Sequence, residues 1–188
     1  MNKKNLSDIY KNIDDLMKRK EKVIVAIEGN SAAGKSTLAY LIEYVYDCNI
    51  FHMDDYFLTP ELKTRERMQE VGGNVDYVRF KDEIVTGINS RRSFSYWPYD
   101  CKQMRLKEPV LVEPKKLNVI EGSYSMHPTL SNNYDLKIFL QIGKKEQKNR
   151  ILKRNGELMY QRYIEEWIPK ENTYFLEFNI KEKCDMVI

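Results

Sequence analysis

The chain has 188 residues, 42% of them hydrophobic and 31% charged, which suits one soluble domain (residues 1–188) with a substantial core. Its 31 Lys and Arg against 28 Asp and Glu leave a net charge of +3, too weak a bias to argue for nucleic acid or a membrane as partner. Cys48, Cys101 and Cys184 are odd in number, widely spaced and form no CxxC pair, which argues against a disulfide framework or zinc site and makes a cytoplasmic setting the expectation.

The N-terminal "MNKKNLSDIYKNIDDLMKRKEK" lacks an apolar signal-peptide core, and Leu6, Ile9, Ile13, Leu16 and Met17 fall at helical spacing. That predicts an amphipathic helix over about residues 5–19, packed on the domain. Val23 to Ile27 is a short, β-branched, continuously apolar run, the pattern of a strand buried on both faces. Helical spacing resumes at Leu38, Leu41, Ile42 and Val45, and a second strand fits Cys48 to Met53. Polar residues dominate Thr59 to Asn74, predicting a loop or mobile helix, followed by a helix from about Val78 to Ile88. Phe94 to Tyr99 reads as an edge strand or hairpin, and Leu117 to Glu121 and Ile138 to Ile142 as further buried strands. Two helices follow, Lys144 to Asn155 and Glu157 to Trp167; Pro169 starts another, and Met186 to Ile188 forms a last strand. Strands alternating with helices predict a layered α/β sheet, with smaller excursions near residues 56–105 and 150–175.

The stretch from Gly29 to Ser36, Gly-Asn-Ser-Ala-Ala-Gly-Lys-Ser, satisfies GxxxxGK[ST] in full and lies between a predicted strand and a predicted helix. Gly29 lets the chain turn off the strand. The N–H groups of Asn30, Ser31, Ala32 and Ala33 then line an anion nest, and the following helix adds its positive end. Gly34 removes a Cβ where backbone approaches phosphate, and Lys35 supplies a cation for the β- and γ-phosphates. The Ser36 hydroxyl is a hard ligand suited to Mg²⁺. Gly29 to Thr37 are therefore the expected ATP-binding residues.

A guanine-reading Asn-Lys-x-Asp and the transporter-type Leu-Ser-Gly-Gly-Gln are both absent. Present instead are acids at strand ends: Asp54 and Asp55 after the second strand, and Glu121 at the end of the third. Ligands of open parallel sheets sit at the carboxyl ends of strands, so these acids should converge on the loop. Neighbouring side chains on a strand point opposite ways, so one of the two aspartates should face the phosphates. A carboxylate there can take the proton of an acceptor hydroxyl, and Glu121 can hold Mg²⁺ directly or through water. Arg150 and Arg154 share a helix face and can neutralise charge on a transferring phosphoryl group.

The ordered set "EGNSAAGKST", "MDDYF", "GGNVDY", "YWPYD", "VIEGSYSMHP", "KNRILKR" and "KCDMVI" resembles the uridine kinase and phosphoribulokinase group of P-loop kinases, over about Val23 to Ile188. The resemblance implies a nucleoside-kinase-like P-loop NTPase fold: a three-layer α/β/α sandwich on a five-stranded parallel sheet, with an acceptor-side insertion and a short lid. It implies Asp54 as the catalytic base, Ser36 and Glu121 as Mg²⁺ positions, and Arg150 and Arg154 on the lid-side helix that holds transferring phosphate. Asp76 and Tyr99 match acceptor contacts, with Tyr56 and Arg162 as further acceptor-side candidates. Met104 stands near the place where uridine–cytidine kinases carry a base-reading histidine, which points toward a different acceptor, since a thioether cannot replace a ring N–H donor.

These readings converge on an ATP- and Mg²⁺-dependent kinase acting on a small hydroxyl-bearing metabolite, a nucleoside such as uridine first. Pantothenate, glycerate, nicotinamide riboside and a sugar phosphate are the related alternatives, and a nucleotide-binding sensor without turnover is the alternative of another class. A homo-oligomer stays open.

Overall fold

The computed structural model describes residues 3–188. A parallel sheet runs in the order β2-β7-β1-β8-β9, formed by Val23–Gly29 (β1), Cys48–His52 (β2), Leu117–Glu121 (β7), Leu136–Leu140 (β8) and Met186–Val187 (β9). The central β1 pairs with β7 on one side and β8 on the other, and all seven of its residues are buried. This is why its sequence is unbroken apolar rather than alternating.

The two faces of β1 feed two cores. Val23, Val25 and Ile27 pack with Ile9 and Ile13 of helix α1 (Lys3–Arg19) and with Leu38 and Ile42 of α2 (Lys35–Val45). Ile24 and Ala26 point the other way, to Phe80, Ile84, Phe51 and Tyr174. The opposite face is covered by α7 (Ile168–Glu177) and by a helical stretch made of α4 (Tyr77–Phe80), a π-turn over Lys81–Val85 and α5 (Thr86–Ser90). The result is a three-layer α/β/α sandwich, as the motifs implied.

Around this frame the polar stretch after β2 contains the short helix α3 (Arg65–Gln69). The aromatic segment expected as one edge strand is split at Trp97-Pro98. β3 (Phe94–Tyr96) pairs antiparallel with β6 (Val110–Val112), while β4 (Tyr99–Asp100) pairs with β5 (Arg105–Leu106). The strand expected at Ile138 to Ile142 begins two residues earlier, because Leu136 is already in register with Val25. The two helices expected after it are both present and meet at Gly156, whose φ of 78° and ψ of 174° are not helical; together they span α6 (Lys144–Arg162), continued by a π-turn over Tyr163–Trp167. Among the described residues no helix is long and apolar enough to cross a membrane.

Candidate active site

The carboxyl ends of β1, β2 and β7 open into a cleft of about 830 Å³. Its floor is the loop between β1 and α2, from which Ser31, Ala32, Gly34, Lys35, Ser36 and Thr37 face the cavity. Gly34 adopts φ 104° and leads straight into α2, so the first amides of that helix point at the cleft without a side-chain cap. Lys35 Nζ donates to the carbonyls of Gly29 (2.7 Å) and Asn30 (3.1 Å) and to Ser123 Oγ (3.2 Å). These contacts hold the ammonium over the loop.

Ser36 Oγ donates to Glu121 Oε1 at 3.0 Å, and His52 Nδ1 lies 2.6 Å from the same oxygen. That hydrogen bond raises the His52 pKa above the usual imidazole value, against the effect of its burial. A hydroxyl and a carboxylate in contact at the mouth of the phosphate loop form a hard-oxygen pair. Among the described residues no group of three or more His, Cys, Asp or Glu side chains is arranged as a full metal cage. Mg²⁺ takes one or two protein oxygens and completes its shell with water and substrate phosphates, so Ser36 and Glu121 fit it.

Asp54 lies on the 3₁₀ turn Met53–Tyr56 that ends β2, and it faces the cleft; Asp55 does not line it. Asp54 is open to solvent in the cavity yet hemmed in by protein. Burial, then the Glu121 charge, pushes its carboxyl above the usual aspartate range, with Lys35 and His52 opposing. Tyr99, Met104, Arg150, Arg154 and Arg162 line the same cavity. Arg150 Nη1 donates to the carbonyls of Ala32 (3.2 Å) and Ala33 (3.5 Å), and Arg154 Nη2 donates to Tyr163 Oη (3.0 Å). Arg162 lies over the Trp167 ring, 5.1 Å from its centroid.

Two candidate acceptor contacts lie outside the cleft lining. Tyr56 is fully buried, its ring against Phe80 and its hydroxyl donating to Glu83 Oε2 at 2.8 Å. Asp76 caps α4 by accepting from Arg79 N (3.1 Å) and is 7% exposed. Both serve the wall of the acceptor side rather than its surface.

Two acids without any motif of their own complete the site. Glu171 of α7, 3% exposed, accepts from Ser31 N (3.0 Å), Ser31 Oγ (2.5 Å) and Ser123 Oγ (2.6 Å). It ties α7 to the phosphate loop. Glu28, the last side chain of β1 before Gly29, is wholly buried and accepts from Gly29 N (2.9 Å), Met126 N (3.1 Å) and Tyr174 Oη (3.0 Å). Burial raises its pKa from 4.5 to about 7, against Lys35 and these donors.

That shift fixes the sign of a pH effect. Between pH 4.5 and about 7 the folded chain holds a proton on Glu28 that the unfolded chain releases. The contribution of Glu28 to stability is therefore largest below that window and declines as pH rises through it. Urea unfolding of the native chain and of Glu28→Gln, compared across this range, should show the native chain losing stability relative to the variant. A constant difference between the two would contradict the assignment.

No family model matches this chain, and no curated protein matches it. Solved structures do. One described as a possible uridine kinase from Bacillus stearothermophilus superposes with a TM-score of 0.70 at 17% identity, covering 96% of this chain and 99% of the other. A structure provisionally described as a fructose transport system kinase, from a Silicibacter species, gives a TM-score of 0.75 at 18% identity, covering 97% and 98%. The chain thus has a P-loop kinase-like fold over nearly its whole length.

Proposed function

We propose that the protein is a small-molecule kinase, transferring the γ-phosphoryl group of ATP to a hydroxyl of a metabolite, with a nucleoside as first candidate. The observation that carries this reading is the presence of Asp54, Lys35 and the Ser36–Glu121 pair in one cleft at the strand ends, with Arg150 and Arg154 in the same lining. A cavity of about 830 Å³ is large enough for a nucleotide tail and an acceptor together.

In this reading the loop amides and Lys35 bind the β- and γ-phosphates. Ser36 and Glu121 hold Mg²⁺, which supplies neutralisation of phosphate charge. Asp54 accepts the hydrogen bond of the acceptor hydroxyl, orients its oxygen toward the terminal phosphorus and takes its proton as the new bond forms. Arg150 and Arg154 meet charge developing on the transferring group; preorganised cations act without reorganisation cost in such a site. Glu28 positions the loop from its buried side, and Glu171, in the cleft lining, positions it by holding Ser31.

The acceptor side is lined by Phe57, Met68, Tyr99 and Met104, with Asn74 as a neutral polar contact. This mixture suits a flat or partly apolar molecule with a free primary hydroxyl. A panel of uridine, cytidine, nicotinamide riboside, pantothenate, glycerate and fructose with labelled ATP tests it. Acceptor-dependent ADP release with one or more of them is the expected result. ATP binding with no acceptor-stimulated turnover would instead favour a nucleotide-binding sensor.

A further inference from the structure

The far end of the sheet holds a second concavity. Strands β1, β2 and β7 all start there, and between their feet and the end of α5 lies a cleft of about 300 Å³. Five cations line it, Lys22, Arg91, Arg92, Lys115 and Lys116, against the single acid Glu21. More positive charge is gathered on this one wall than the whole chain carries in net, which is +3.

Carboxylates quench it only in part. Lys115 pairs with Asp47 at 2.7 Å, and Lys22 Nζ donates to Asn89 Oδ1. Among the described residues, the side chains of Arg91, Arg92 and Lys116 make no ion pair or hydrogen bond. The Lys22 ammonium is destabilised by burial, and Arg91 and Lys20 add to this against the pull of Asp135. Asn49 and Asn118 stiffen the cleft floor: Asn49 Nδ2 donates to Glu113 O (3.0 Å) and Asn118 Oδ1 (3.2 Å), and Asn118 Nδ2 donates to Lys115 O (3.1 Å).

We propose that this cleft binds a compact metabolite carrying a phosphoryl dianion, at a site separate from the nucleotide loop. Two guanidinium groups offer the fork geometry that phosphate oxygens accept in pairs, and an anion here relieves the mutual repulsion of the cations. The cations come from three separate segments and converge on a concavity instead of forming a stripe. The volume is that of a small ligand. Phe94, the one aromatic in the lining, stacks on Phe51 with centroids 6.2 Å apart, so it gives no platform for the base stacking that single-stranded nucleic acid needs. A ligand held between Lys22 and Lys116 sits at the feet of β1 and β7, whose other ends carry Gly29 and Glu121.

Titration calorimetry with inorganic pyrophosphate tests the site, on full-chain Lys35→Ala so that the phosphate loop contributes little. One equivalent should bind, about tenfold more weakly at high salt because exposed charges are screened. Adding Arg91→Ser, Arg92→Ser and Lys116→Gln should abolish binding, whereas adding Arg91→Lys and Arg92→Lys, which keeps the charge and loses the fork, should leave it measurable but weaker. No binding to Lys35→Ala, or unchanged binding after the triple replacement, overturns the site. Tighter binding of an oligo-dT strand than of pyrophosphate overturns it as well. If the triple variant melts early, the side-chain amide NMR signals of Asn49 and Asn118 in Lys35→Ala decide. Shifts on adding pyrophosphate sustain the site, and their absence refutes it.

Discussion

Asp54→Asn is expected to lower phosphoryl transfer by about 10³-fold, within the range a positioned general base contributes, while ATP still binds. The replacement keeps the shape of the side chain on the turn Met53–Tyr56, so the fold should persist. What disappears is the proton acceptor. The Asp54 carboxylate is held among Glu121, Lys35 and His52, with burial and the Glu121 charge both opposing its ionisation. Removing it takes away a negative charge that repels phosphate, so ATP affinity should be unchanged or slightly higher. Turnover in a coupled ADP assay and affinity by calorimetry separate the two effects. Because the carboxyl titrates above the usual value of 3.8, the acid limb of kcat should also lie above that of an ordinary aspartate. Near-normal turnover in Asp54→Asn would remove Asp54 from the base role.

Gly29→Ala should be the most damaging single methyl in the molecule. A Cβ at this position would lie 2.0 Å from the Leu140 carbonyl oxygen, on a backbone with φ of 138°. Both obstacles are main chain: Gly29 pairs with Leu140 across the β1–β8 ladder, and Asn30 N donates to that same oxygen at 3.2 Å. The strands must part or the loop must shift. Backbone strain of about 1–3 kcal/mol and overpacking of a similar size give a loss of roughly 3 kcal/mol or more. For a chain of this size that is a fall of about 10 °C in Tm. Gly34→Ala is the informative contrast. Its φ of 104° is strained for alanine too, but the nearest atom, Arg150 Nη1, is 4.0 Å away, so a smaller loss is expected. Gly143→Ala, with nothing within 4 Å, should be nearly neutral. Equal melting temperatures for Gly29→Ala and Gly143→Ala would contradict the steric argument.

The parts of the molecule that could be read in the sequence are those written in local patterns. β1 and β7 are short apolar runs buried on both faces, and the phosphate loop is a contiguous motif between such a run and a helix. Even there the physical reason was only half visible. Gly29 was expected for its turn, and the structure adds the approach of Leu140, which lies 111 residues away and leaves no trace near the loop. β8 was placed late because Lys137 interrupts its apolar run, although Leu136 is already paired. The Phe94 to Tyr99 segment alternates as a strand should, yet each half pairs with a different partner. Glu171 was not legible: its partners Ser31 and Ser123 are 140 and 48 residues distant, and a lone acid in a helix signals nothing by itself. Glu28 drew no reading from the sequence, since its donors Met126, Ser125 and Tyr174 lie about 100 residues or more away.

The break at Gly156 divides α6 into two levers. Arg150, on the near one, is already fastened to the carbonyls of Ala32 and Ala33, while Arg162 and Trp167 ride on the far one. The two are nonetheless clamped together: Arg154 of the near lever donates to Tyr163 Oη across the break, and the far lever runs on into α7, where Glu171 holds Ser31 of the phosphate loop. Any swing of the far lever about Gly156 must therefore begin by breaking the Arg154–Tyr163 bond, which makes that one contact the latch between the two halves of α6.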